Sequence, residues 1–269
     1  MTFNIPLNEI EIAGGLGNDT FMINGAPIAV VSLFGNAGVD TFIVNGTAGV
    51  SDLNLFGGFG NDSFIFNNSE STTRTDALGS VGDDTYNVGL FASGNLFLDG
   101  QDGSDDYSVS FLGSGSRRID TRDTGTIGTD QTSVFGTNAD DRIAVRTTRF
   151  LYDDEVVIFD ENTERVSASS ANGNDRIVIF GTRSPLLEVF AGAGVDSFII
   201  NSGARADELN LFGEDGNDRF IVDRTTVDTT TNLFGNQGND RFSIGATAND
   251  DDGNLGLIRG ELNLSLIHI

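Results

Sequence analysis

Apolar and polar residues alternate in short, regularly spaced stretches along this chain. Two and four positions after Asp19 stand Phe21 and Ile23, and the same placing recurs at Phe42 and Val44, Phe64 and Phe66, Tyr86 and Val88, and Tyr107 and Val109. It returns at Ile143 and Val145, Ile177 and Ile179, Phe198 and Ile200, Phe220 and Val222, and Phe242 and Ile244. A period of two marks a strand with one buried face. A second short stretch runs ahead of the acid, as at Val31–Phe34, Leu53–Phe56, Asn95–Leu98, Leu209–Phe212 and Thr231–Phe234. The elements predicted are pairs of short strands, joined by a glycine-rich turn on one side and a polar turn on the other.

The phase of the repeat decides the architecture. Asp19, Asp40, Asp62, Asp84 and Asp105 are 21 or 22 residues apart, and so are Asp175, Asp196, Asp218 and Asp240, with Asp141 between the runs at longer spacings. A six-residue turn, two strands of about five residues and a polar turn of about six fill one such period. Strands this short cannot each build a core. Stacked as coils they pair in parallel, like residue over like residue, about 4.8 Å apart. The predicted fold is all-β, a parallel β-roll or β-solenoid of about ten coils. Helices are opposed by the Gly, Asn, Asp and Thr content, and a β-sandwich would not hold a fixed phase. Regular coils are expected over residues 1–110 and 171–250, irregular coils with longer loops over 111–170, and a truncated end over 251–269. The last six residues, Leu264–Ile269, break the pattern and read as an adapter-derived addition, which would make His268 foreign; the chain reads as a fragment of a larger protein.

Charge narrows the partners. The chain has 40 acids against 15 bases, a formal charge of −25. Every base is an arginine. Such a surface repels nucleic acid and attracts cations. With no cysteine, disulfides and thiolate metal sites are excluded. No apolar run is long enough to span a bilayer, and 21 Phe argue against a disordered polymer. A monomer is expected.

Stacking in register puts the motif acids in a column. Like charges about 4.8 Å apart in partly buried turns repel by kilocalories per pair, and no lysine or histidine lies in the motifs. Oxygen donors without sulfur or imidazole suit a hard cation, and a flexible shell favours Ca²⁺ over Mg²⁺.

The motif itself then becomes informative. Gly14-Gly15-Leu16-Gly17-Asn18-Asp19 and Gly57-Gly58-Phe59-Gly60-Asn61-Asp62 fit G-G-x-G-x-D in full. The turns Gly35 to Asp40 (with Gly38), Gly79 to Asp84 (with Gly82), Gly100 to Asp105 (with Gly103), Gly213 to Asp218 (with Gly216) and Gly235 to Asp240 (with Gly238) change only the second glycine. Ala191 to Asp196 loses the first and keeps Gly192 and Gly194; Gly136 to Asp141 has Ala139 in place of the third glycine, and Ser170 to Asp175 keeps only Gly173, so these last two depart furthest from the pattern. With the apolar residue two positions on, the pattern resembles the RTX, or haemolysin-type, calcium-binding nonapeptide repeat. The resemblance implies a secreted bacterial protein, exported by type I secretion, with Ca²⁺ between successive turns. Its ligands would be the carboxylates of Asp19, Asp40, Asp62, Asp84, Asp105, Asp175, Asp196, Asp218 and Asp240, and carbonyls that the turn glycines aim at the ion. One motif per coil, where the family's tandem nonapeptides put turns on both edges, places the ions on one edge only. About four are expected in the first run, about three in the second, and none over 111–170.

Two rival functions differ in class. A β-helix polysaccharide lyase or epimerase needs a concentrated catalytic cluster. The only irregular charged group, Arg117, Arg118, Arg122, Tyr152, Asp153, Asp154 and Glu155, reads better as a surface insertion, so no enzyme is expected. An adhesin or surface-layer segment, binding a cell-surface or polysaccharide partner, is compatible with calcium. Arg142, Arg176, Arg219 and Arg241, each next after a motif acid, are expected to form an outward ladder paired with nearby acids.

Overall fold

The computed structural model describes residues 8–25, 29–69, 73–92, 95–113, 117–201, 206–245 and 257–265. These are all-β, without an α-helix among the described residues, and stack as parallel β-solenoid coils, about 10 turns in all. They divide into two compact units, Met1–Val109 with Ser116–Asp130, and Ser110–Gly115 with Gln131–Ile269.

The first unit has two parallel sheets. Glu9–Leu16, Val30–Ala37, Asp52–Phe59, Arg74–Val81, Asn95–Asp102 and Arg118–Arg122 lie side by side in one. Thr20–Asn24, Thr41–Gly46, Ser63–Ser69, Thr85–Ala92 and Asp106–Ser110 lie in the other. The glycine turns carry the chain from the first sheet to the second, and the polar turns bring it back. Register is held residue for residue: Phe64 lies opposite Phe42 and Tyr86, and Leu53 opposite Val31 and Thr75. Phe21, Phe42, Phe64, Tyr86 and Tyr107 therefore stack as one internal pile, with successive centroids 5.0, 4.9, 4.7 and 4.8 Å apart. Buried Leu53, Leu55, Phe64 and Phe66 come from the inward positions of the period-two pattern. Outside, asparagines form ladders, as where Asn67 donates to Asn45 and Asn45 to Asn24.

The second unit repeats the plan. One sheet holds Gln131–Phe135, Arg165–Ser169, Leu186–Phe190, Glu208–Phe212, Thr230–Phe234 and Glu261–Ser265; the other holds Arg142–Arg146, Arg176–Ile179, Ser197–Asn201, Arg219–Arg224 and Arg241–Ile244. Phe198, Phe220 and Phe242 stack inside at 4.7 and 4.8 Å, and Phe190, Phe212 and Phe234 make a half-buried outer stack. The long spacing between Asp141 and Asp175 is filled by Arg149–Tyr152, antiparallel to both Arg142–Arg146 and Glu155–Ile158. Its tip carries Asp153 at φ 48°, a left-handed conformation that Asp tolerates better than most residues.

At the carboxy-terminal end, Leu264 pairs with Leu233 and Ser265 with Phe234, in step with Asn263 on Asn232. These two residues thus continue the coil instead of breaking it, because Glu261–Ser265 has the same alternation as Thr230–Phe234. Residues 266–269, with His268, lie outside the described residues. No helix among the described residues is long and apolar enough to cross a membrane.

Candidate metal centre

Each turn position has its own physical requirement, seen in the turn from Gly57 to Asp62. At the first position a Cβ would strike the coil's own acid: on Gly35, Gly57, Gly79 or Gly100 it would meet the carboxylate of Asp40, Asp62, Asp84 or Asp105. The second position is left-handed, at φ 110° for Gly58. Asn36, Ser80, Gln101, Glu214 and Asn236 hold it at φ 76°, 90°, 71°, 70° and 65°. That explains why this is the glycine most often replaced, since the left-handed region is costly but accessible to other residues. The fourth position runs from φ 99° at Gly17 to φ 158° at Gly194 and Gly216. A Cβ there would also strike the carbonyl of the preceding coil's fourth residue, as Gly60 would strike Gly38. Those carbonyls therefore lie against the next coil's glycine along the stack. The glycines are required by the close approach of neighbouring coils, a packing reason separate from the expectation that they aim carbonyls at an ion.

The fifth position is a hydrogen-bond ladder. Asn18 Oδ1 accepts the Val39 amide at 2.9 Å, Asn61 Oδ1 that of Asp83 at 3.0 Å, and Asp83 Oδ1 that of Ser104 at 2.9 Å. In the second unit Asn174 and Asn217 cap Val195 and Asn239 in the same way.

The sixth position forms the column. Asp19, Asp40, Asp62, Asp84 and Asp105 each donate a backbone N–H to Oδ1 of the acid one coil further on, at 2.7, 2.7, 2.7, 2.8 and 2.7 Å, the last acceptor being Asp130. In the second unit Asp141, Asp175, Asp196 and Asp218 do so to Asp175, Asp196, Asp218 and Asp240, at 2.8, 2.7, 2.9 and 2.9 Å. Every column acid except the first, Asp19, thus has a carboxylate oxygen in use. The other, Oδ2, is buried without a hydrogen-bond partner in Asp19, Asp40, Asp62, Asp84, Asp105, Asp175, Asp196, Asp218 and Asp240. Buried polar atoms are rarely left so, and two unit charges at a spacing of about 4.8 Å repel by about 3 kcal/mol in an effective dielectric of about 20. Burial accordingly pushes these carboxyls up: Asp62, Asp196 and Asp218 to about 6, Asp105 to about 7 and Asp84 to about 8. Neighbouring carboxylates add to the rise, and the amide hydrogen bond opposes it. The donor set is oxygen only, which suits a hard cation.

The nine motif acids expected as ligands all stand in these two columns. The structure adds one acid, Asp130, to the first and sets Asp123 beside it. Asp123-Thr124-Gly125-Thr126-Ile127-Gly128-Thr129-Asp130 is a further, longer turn, with Asp130 in the column. Among the described residues, Asp105, Asp123 and Asp130 are the one group of three acidic or imidazole side chains whose ligand atoms lie within 4.8 Å of one another. Residues 111–170 were expected to hold no ion, and this cluster draws two of its three acids from them. Asp130 escaped the motif alignment because it lies 25 residues after Asp105 and is followed by Thr132 where an aromatic or aliphatic residue stands elsewhere. Its glycines at 125 and 128 were the available signal.

Asp141 differs from its neighbours in having both oxygens bonded. Oδ2 accepts the Thr137 amide at 2.7 Å, and Oδ1 accepts the hydroxyls of Thr137 and Tyr152. The remaining charged residues of the middle stretch fall into separate sets. Arg118 and Arg122 both bond Asp120, Arg117 donates to the Gly89 carbonyl, and Glu155 accepts the Leu112 and Gly113 amides. Arg142 and Arg176, and Arg219 and Arg241, are exposed and paired in register, with Ser197 in the position between the two pairs. None of them forms an ion pair among the described residues, so the outward ladder exists but its expected acidic partners do not.

Comparison with models of known protein families found no match, and neither curated proteins nor solved structures gave one.

Proposed function

We propose that this chain is a calcium-stabilised structural repeat region of a secreted bacterial protein. The observation that carries the reading is the row of buried, unpartnered Oδ2 atoms, one in each of nine stacked turns. Asp62 and its equivalents would hold the ions through these oxygens, and a bound Ca²⁺ would supply the positive charge that the columns lack. In a metal-poor cytoplasm the uncompensated acids oppose stacking and favour an export-competent chain. In millimolar extracellular calcium the coils propagate. Affinities of order 10⁻⁴–10⁻³ M suit such a module. The resemblance of the turns to the RTX repeat supports type I secretion, and a monomeric, non-catalytic role is proposed with it. Equilibrium dialysis of the full chain against calcium tests the reading. Uptake of several ions is expected, and no uptake at millimolar calcium would overturn it.

The adhesin reading has one observation in its favour, the exposed arginines of Arg142–Arg146, Arg176–Ile179, Arg219–Arg224 and Arg241–Ile244. They offer cations to an acidic cell-surface glycan. Binding of such a glycan, lost on replacing Arg219 and Arg241, would place the chain's role there.

A further inference from the structure

The repeat keeps its first turn position for residues no larger than Ser because the coil's own carboxylate fills the space beyond. One coil of the first unit departs from this. Arg122 pairs with Asp99, which puts Asp123 in register with Gly100. A second carboxylate thus stands where the five preceding coils have Gly14, Gly35, Gly57, Gly79 and Gly100. The turn is longer to match. Gly100 to Asp105 spans six residues and Asp123 to Asp130 eight. The additional residues are tied down, with Thr124 donating its amide to Asp99 and Thr126 its amide to Asp102.

Asp105, Asp123 and Asp130 are 1%, 4% and 2% exposed. Each commits an oxygen to a backbone amide: Asp105 to Asp84, Asp130 to Asp105, and Asp123 to Gly125 at 2.9 Å. Asp105 Oδ2 is buried and has no hydrogen-bond partner. The arginine next to Asp123, Arg122, turns its guanidinium to Asp120. Three carboxylates packed this closely out of water need compensation by positive charge or by protons.

We propose that Asp105, Asp123 and Asp130 form a divalent-cation site distinct from the repeat's single-carboxylate turns, with Ca²⁺ as its ligand. Affinity for hard cations rises with the number of coordinating carboxylates. This site offers three from two successive turns, against two where an ion lies between two ordinary turns, so it fills first. Its ion ties the last turn of the first unit's column to the coil before it. The inference does not depend on the columns binding calcium, because Asp123 is a ligand that the repeat pattern does not supply.

The test is calorimetric titration of the calcium-stripped full chain, with ions counted by elemental analysis at low free calcium. Asp123→Asn keeps the acceptor for Gly125 and removes the charge, while Asp123→Gly restores the residue of the other coils. The wild type is expected to show one step about tenfold tighter than the rest. Both variants should lose that step and one ion, and should keep the wild-type circular dichroism spectrum at millimolar calcium. If the tight step persists in Asp123→Asn, the inference fails while the column reading stands. If the wild type binds one ion only, and loses it in the variant, the cluster is right and the columns are not metal sites. A third outcome also overturns the inference: no tight step in the wild type, with Asp123→Asn melting higher in chelator, would mean that Asp123 and Asp130 share a proton.

Discussion

The Asp40 amide donates to Oδ1 of Asp62 at 2.7 Å, one coil further on. Asp62 thereby does two jobs, capping a turn with one oxygen and presenting the other, unpartnered, to whatever compensates its charge. The two jobs separate by substitution. Asp62→Ala removes the cap and should cost about 1–3 kcal/mol with or without calcium, the penalty for a buried donor left unsatisfied. Asp62→Asn keeps an acceptor and removes the charge. It should match or exceed the wild type in chelator and fall below it in calcium. Denaturant melts under both conditions check the pair, and equal losses for both variants in both conditions would refute the second job.

Glycine substitutions should have opposite signs at neighbouring turn positions. Gly60 sits at φ 122° and its Cβ would meet the Gly38 carbonyl, so Gly60→Ala should destabilise by about 2 kcal/mol or more. Gln101 holds φ 71°, and Gln101→Gly should gain up to about 1 kcal/mol by relieving the left-handed conformation. Thermal unfolding of the two variants reads both signs.

Acid should stabilise the metal-free chain. The carboxyls of Asp62, Asp196 and Asp218 at about 6, Asp105 at about 7 and Asp84 at about 8 compare with an ordinary value of 3.8. The folded chain therefore binds protons that the unfolded chain releases. This stabilisation is complete below about pH 4, falls progressively as pH rises above that, and is gone once pH passes the folded values of about 6 to about 8. In chelator, the melting temperature should be higher at pH 5 than at pH 8. Calcium uptake should run the other way and weaken toward pH 5, since its ligands must be ionised.

Asn61 contributes through a hydrogen bond alone. Its Oδ1 caps the Asp83 amide at 3.0 Å. Asn61→Ala should cost about 0.5–1.5 kcal/mol, by the same amount in calcium and in chelator. A loss seen only in calcium would make Asn61 part of a metal site.

Much of this was legible in the sequence, because stacking converts a linear period directly into spatial neighbours. Phe64 lies over Phe42 at 4.9 Å because the two residues share a phase, and the acids form columns for the same reason. What stayed hidden depends on interactions between coils. The role of the fifth-position asparagines shows only in the structure, where Asn61 caps Asp83. The packing reason for the glycines shows only where Gly60 is pressed against Gly38. Asp130 was lost because a turn lengthened by two residues broke the phase, and Asp123 because nothing in a one-dimensional pattern says that a first-position residue faces a sixth-position carboxylate. The hairpin of Arg149–Tyr152 and Glu155–Ile158 appeared only as a gap in the period.

Far-ultraviolet circular dichroism of the full chain during calcium titration from chelator tests the central claim most directly. The expected result is a reduced β-signal with a lower melting temperature in chelator at pH 7.5, and a cooperative rise of both as calcium reaches about 10⁻⁴–10⁻³ M. A β-spectrum already complete in chelator, and unchanged in shape and melting temperature by millimolar calcium, would contradict it.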